Sequence, residues 1–146
     1  MVFRSKIDTY FKTFISIIIL LISAVTLIPL FLDEEVTPLT MMIVFFIFII
    51  SVGLILWSAF SIKYIFYQDH LFVRGGPFRS RIPYEEITRI SPAKEILTGY
   101  RLLSSKESFE IFYKSATLGS VKISPMEIER FISEIKQRCP NVTIQE

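Results

Sequence analysis

Few residues in this 146-residue chain have the type and spacing for chemistry, and the clearest group is cationic. Arg74, Arg79 and Arg81 bracket a Gly75-Gly76-Pro77 turn, with Lys63 a short way upstream. Cations gathered in this way attract phosphate, and beside an anionic leaflet each contributes about 1 kcal/mol. Lys63, Arg74, Arg79 and Arg81 are therefore the expected contacts to lipid head groups. The competing account is a solvated turn whose charges merely satisfy the inside-positive bias. Nucleic acid is not an expected partner: residues 63–146 carry 13 basic against 10 acidic side chains, and Glu85 and Glu86 interrupt the basic stretch.

Catalysis finds little to work with. His70 is the single histidine and follows Asp69 at a turn, which suits a solvated or capping role better than that of a general base. Cys139 is the single cysteine, so neither an intramolecular disulfide nor a cysteine zinc cluster can form. It continues the apolar stripe of a helix and reads as a small packing residue. Glu85 and Glu86 are adjacent, and in extended chain adjacent side chains point to opposite faces, so they cannot converge on one proton. Gly75-Gly76 lacks the glycine spacing and the lysine of a phosphate-binding loop. The expectation is a protein that is not an enzyme, with no catalytic residue, cofactor or metal.

The elements that must position the cations fall into two unlike halves. Residues 13–62 hold three charges, the adjacent Asp33, Glu34 and Glu35, although the chain as a whole is 21% charged and 51% hydrophobic. Residues 13–32 form a charge-free run whose helix would rise about 30 Å, the thickness of a hydrocarbon core. Residues 36–62 form a second such run, long enough to cross with tilt. Three carboxylates cannot sit in lipid, so the connection must reach water. The resulting division is a segment 1–12, a first span 13–32, an acidic loop 33–38, a second span 39–62 and a domain 63–146.

Orientation follows from the cations around the spans. Arg4, Lys6 and Lys12 precede the first, Lys63, Arg74, Arg79 and Arg81 follow the second, and the loop has none. Basic flanks stay inside, which predicts a two-pass cell-membrane protein with both termini cytoplasmic. A cleaved signal peptide is the alternative, but the apolar run exceeds the usual ~7–15 residues and no A-x-A site precedes the loop. Ser16 and Ser23, and likewise Ser51 and Ser58, are seven apart, which predicts small faces along which the spans pack. Ionisable groups are missing inside both runs, against a proton or ion pathway.

From residue 63 the pattern changes to short β-type runs divided by turns: 64–67, 71–74, 79–84, 87–91, 100–103, 109–114 and 120–124. Phe109, Ile111 and Tyr113 alternate onto one face. One helix closes the chain. Ser124, Pro125 and Glu127 form a capping box with proline at the first helical position. Ile128, Phe131, Ile132 and Ile135 make an apolar stripe, and Pro140 stops the helix. Seven strands followed by an amphipathic helix that plugs a sheet is a pleckstrin-homology (PH)-like arrangement. The expected fold is a membrane-anchored α+β chain: two transmembrane helices, then a PH-like seven-stranded barrel or sandwich with a C-terminal amphipathic helix.

Particular residues also carry a resemblance. Ser5-Lys6-Ile7-Asp8 stands before the first span, followed after the second by Tyr67, Asp69, Leu71, Arg74-Gly75, Ile82-Pro83-Tyr84 and Ile87. Arg101-Leu102, Ile111, Tyr113, Ile123-Ser124-Pro125 and Phe131 come next, in that order. In these the chain resembles the bacterial PH-like domain proteins of the YyaB-like type, over 1–12 and about 62–142, with a hairpin of the same kind between. The resemblance implies a membrane-tethered PH-like fold and brings no catalytic residues or ligand. The function expected is a non-enzymatic module that docks a protein partner or the anionic membrane surface. The alternative is a small immunity or resistance protein against a membrane-active peptide toxin.

Overall fold

The computed structural model describes residues 1–95 and 99–145. A short strand β1 (Val2–Arg4) leads into helix α1 (Thr9–Leu32), which turns through residues 33–37 into helix α2 (Pro38–Phe60). Eight further strands and one helix follow: β2 (Lys63–Phe66), β3 (His70–Gly75), β4 (Phe78–Pro83), β5 (Ile87–Pro92), β6 (Arg101–Leu102), β7 (Phe109–Tyr113), β8 (Ser120–Ile123), α3 (Ile128–Arg138) and β9 (Thr143–Ile144). A single 3-10 turn, Tyr84–Glu86, links β4 to β5.

In these uncharged runs an α-helix pairs the backbone groups within the segment itself. Each start is capped by a side chain: Asp8 accepts from Phe11 N–H at 2.8 Å, and Thr37 Oγ1 accepts from Thr40 N–H at 3.2 Å. Pro38 sits at the first turn of α2, where a missing N–H costs nothing. Pro29 lies in the last turn of α1, and Asp33 N–H closes that turn onto Pro29 C=O at 3.0 Å. Both helices are long and apolar enough to cross a membrane.

The strands build two sheets. The first has the order β1-β2-β3-β4 and is antiparallel throughout; the second has the order β6-β8-β7-β5-β9. In the second, β5–β7 and β7–β8 are antiparallel, whereas β6–β8 and β5–β9 are parallel. The expected count of seven is thus corrected to nine strands among the described residues. All seven expected strands are present. The two additions are β1 and β9, which are three and two residues long and lack a turn signal on both sides. β1 joins residues 2–4 to the first sheet, although α1 and α2 separate them from it in sequence.

Tyr64, Leu71, Val73, Ile82, Ile111, Val121 and Ile123, from both sheets, are completely buried. Helix α3 closes the core with Phe131 and Ile135. The Phe131 ring meets Phe3, Tyr64 and Phe66 at centroid distances of 5.4, 5.8 and 5.0 Å. The apolar stripe does what its spacing predicts, but the helix begins later than the capping box implies. Its N-cap position is Glu127, with no side-chain cap bond. Ser124 is drawn elsewhere: its hydroxyl accepts from Ser104 N–H at 2.8 Å and pairs with the Ser5 hydroxyl at 2.8 Å.

The serine faces also differ from expectation. Ser16 is exposed, and Ser16, Ser23 and Ser51 return their hydroxyls to their own helix at Lys12, Ile19 and Ile47 C=O. Ser58 faces the β3–β4 turn instead. A Cβ built on Gly76 would lie 2.8 Å from Ser58 Cα, and Gly76 has φ +56°. Only glycine meets both conditions, so this turn seats on the last part of α2.

Candidate functional site

Residues 1–8 fix where the hairpin leaves the domain. Val2, Phe3 and Arg4 pair with Ile65, Tyr64 and Lys63. Ser5 N–H then donates to Ile62 C=O at 3.2 Å, and Lys6 N–H to Ser124 C=O at 2.7 Å. Beneath them the hydroxyls of Ser5 and Ser104 meet at 2.6 Å. Tyr64 OH donates to Leu102 C=O at 2.5 Å and accepts from Ser124 N–H at 3.0 Å. Burial pushes the Tyr64 hydroxyl up to about 12, against the opposing effect of its hydrogen bonds to Ser5 and Ser124.

Asp8 joins this network to the first turn of α1. Its carboxylate accepts from Phe11 N–H, from Ser105 Oγ at 3.0 Å and from Lys106 N–H at 2.8 Å. Desolvation alone would raise its pKa. The hydrogen bonds from Lys106, Phe11 and Ser105 outweigh it and hold the carboxyl below its ordinary range.

The same strand completes a row of charge. Arg4 pairs with Lys63, Lys63 with Arg74, and Arg74 with Arg79, so one cation from each of four adjacent strands stands in register. Cross-strand partners project from the same face. The neighbours of these residues along their strands, Phe3, Tyr64 and Val73, are buried, so all four cations point outward and are exposed. With strands ~4.8 Å apart, the row covers about 14 Å. No described carboxylate lies within ion-pair distance of any of them. Like charges directly opposite one another weaken a sheet, so the row costs stability unless an anion answers it.

Its place is set by the turn after β3. Gly76 N–H donates to Ser61 Oγ at 2.9 Å, where α2 ends, and Arg74 and Arg79 flank that turn. The row thus lies beside the ends of α1 and α2 from which the hairpin emerges. Of the four cations expected from sequence, Lys63, Arg74 and Arg79 come together. Arg81 lies in the next row beyond Phe72 and pairs with Asp69 at 2.9 Å. Arg4 is the member that sequence reasoning missed. In sequence it stands only as a flank of the first span, because the register that places it here belongs to β1, a strand three residues long.

The remaining residues singled out for chemistry sit in packing and hydrogen-bond contacts. His70 stacks on Tyr67 at 4.8 Å and shares a 2.5 Å hydrogen bond between Nδ1 and Asp69 Oδ1. That bond leads the effects that lower the Asp69 pKa. Cys139 is buried, its Sγ lies 3.5 Å from Tyr84 C=O, and burial raises its thiol pKa. Glu85 and Glu86 lie in the 3-10 turn rather than in extended chain, and Glu86 accepts from Ser115 N–H at 3.2 Å. Among the described residues no group of three His, Cys, Asp or Glu side chains is placed to hold a metal.

Comparison with known proteins agrees with this architecture. The family described as "Bacterial PH domain" matches residues 62–139, from the end of α2 to the end of α3. The chain belongs to that family. This bacterial PH domain protein is also 32% identical over 144 residues to the uncharacterized protein YyaB of Bacillus subtilis (strain 168). The similarity covers 99% of this chain and 97% of YyaB, so it includes the hairpin and the N-terminal segment as well as the PH domain. No solved structure matches the chain. The bacterial PH domain family and this relative suggest a non-catalytic module.

Proposed function

We propose that the chain is a two-pass membrane module whose PH domain rests, through Arg4, Lys63, Arg74 and Arg79, on the anionic head groups of the leaflet from which its hairpin emerges. The observation that carries this is the cation row itself: four unanswered charges in register, beside the ends of both apolar helices. Both ends of the hairpin join one sheet, since β1 precedes α1 and β2 follows α2. In a bilayer this puts residues 1–8 and the PH domain on one side and Asp33, Glu34 and Glu35 on the other. The excess of basic residues around the termini favours the cytoplasmic side for the domain. Phe78 at the tip of the β3–β4 turn is 55% exposed and stands where an interfacial side chain would be needed.

The test uses the full chain, because a fragment starting at residue 63 would lack β1 and the Ser5 and Asp8 bonds. A nitroxide at Ile65→Cys, on the outer face in the row beyond the cations, is read for access to lipid-soluble oxygen and to an aqueous relaxant. In nanodiscs of phosphatidylglycerol it is expected to be shielded from water, and in phosphatidylcholine exposed. Arg74→Gln with Arg79→Gln should abolish the difference. Equal access in both lipids would leave the row without its proposed role.

A further inference from the structure

Strand β4 is the one long open sheet edge among the described residues. In the first sheet it has no partner beyond β3, whereas the opposite edge is covered: Ser5 bridges Pro125, and Met126 N–H donates to Arg4 C=O at 2.9 Å. The outer strands of the second sheet, β6 and β9, have two residues each, and β4 has six. Gly75 and Phe78 close a two-residue turn, so the ladder bonds to β3 run through Phe78, Ser80 and Ile82. The N–H and C=O groups of Arg79 and Arg81 therefore point away from β3, and no hydrogen bond among the described residues reaches them. Free groups in such a series are a template for a further strand.

The side chains along the edge select what that strand carries. Arg79 is exposed and stands in no ion pair among the described residues, while Arg81 is already held by Asp69. On the inner side, Arg79 and Ser80 line a cavity of about 430 Å³ together with Tyr100, Tyr113 and Leu118, and Ser80 and Tyr113 share a 3.2 Å hydrogen bond. A second copy of the chain is a poor occupant. Antiparallel pairing of β4 with itself would set Arg79 opposite Arg81, and like charges opposite one another repel.

We infer that β4 receives an extended acidic segment of a partner protein as a fifth strand of the first sheet, with a carboxylate beside Arg79 and the adjacent, apolar side chain turned toward the cavity. Strands lie ~4.8 Å apart, so that carboxylate takes the next position in the row of Arg4, Lys63, Arg74 and Arg79 and answers its charge. The backbone commits the edge to an extended peptide, because a helix spends its own N–H and C=O groups internally. Successive residues of a strand face opposite sides, so the segment alternates acidic and apolar residues.

Fluorescence anisotropy of the full chain in dodecyl maltoside micelles tests this docking. The micelles hold no anionic head group, so the outcome is independent of the leaflet contact. The probe is a capped, rhodamine-labelled octapeptide of alternating glutamate and valine. It is expected to bind, about tenfold more weakly to Arg79→Gln, as suits the loss of one charge-assisted contact. Exchanging its valines for serine should also weaken it by about tenfold. With glutamate beside Arg79, the glutamate amides face β4. Their N-methylation should abolish binding, and N-methylation of the valine amides should not. No binding at millimolar peptide, equal binding of a lysine and valine peptide or of the serine peptide, or full binding after methylation of the glutamate amides overturns the inference. So does a disulfide between two chains through Ser80→Cys in a Cys139→Ser background, which would place a second copy on the edge.

Discussion

The helical hairpin and the β domain treat the same kinds of side chain in opposite ways. Helix α1 has no buried residue and α2 has only Ala59, while Phe31 is 81% exposed. In the domain, Phe131 is 2% exposed and Tyr64, Leu71 and Ile111 are fully enclosed. The sheets and α3 satisfy their apolar surface within the molecule. The helices leave theirs exposed, as an anchor in a bilayer would. The polar network of Ser5, Asp8, Tyr64, Ser104 and Ser124 lies at the border between the two regimes.

Substitutions on either side of that border break or sharpen the contrast. The largest effect is expected from Phe131→Ala: removing a ring packed on three others should destabilise the domain by about 3–5 kcal/mol in denaturant unfolding of the full chain in micelles. A cost under about 1 kcal/mol would mean that the core does not depend on α3. Gly76→Ala should cost about 1–2 kcal/mol from the left-handed backbone alone, and more from contact with Ser58. An unchanged midpoint would detach the β3–β4 turn from α2.

Asp8→Ala should cost about 1 kcal/mol, the worth of a good N-cap, whereas Asp8→Asn keeps a capping side chain and removes only the charge. Its pH dependence carries a sign. The folded Asp8 pKa is depressed, so its contribution is complete above the ordinary value of 3.8 and is lost as pH falls through the lower folded value. Wild type should therefore lose more stability than Asp8→Asn on acidification across that window, and parallel profiles would contradict the network. The smallest effect is expected at Phe31→Ser. Domain unfolding in micelles should shift by less than about 0.5 kcal/mol, as for an exposed site. A loss comparable with that of Phe131→Ala would show that α1 packs within the protein after all.

Much of this was legible from residue order. Uncharged runs delimit α1 and α2, turn residues separate seven strands, and the spacing of Ile128, Phe131, Ile132 and Ile135 marks the buried face of α3. What sequence concealed are features that depend on partners far along the chain. β1 is three residues long, and Phe3 becomes a core residue only when Tyr64 and Phe131 are brought to it. Ser124 has the ideal surroundings for a helix cap, yet Ser5 and Ser104 claim its hydroxyl, and a local motif cannot reveal a competitor more than a hundred residues away. The cations follow the same rule. Lys63, Arg74 and Arg79 are close enough in sequence to suspect, but Arg4 joins them and Arg81 leaves them through strand register alone.

The most direct measurement of the central claim is the sidedness of labelling in intact cells. In a Cys139→Ser background, Glu34→Cys in the acidic loop and Lys114→Cys at the end of β7 are treated with a membrane-impermeant maleimide. The expected result is labelling at position 34 in intact cells and at position 114 only after permeabilisation. Labelling at 114 in intact cells, or at both positions alike, would contradict a hairpin that crosses the membrane twice and holds its PH domain against the inner leaflet.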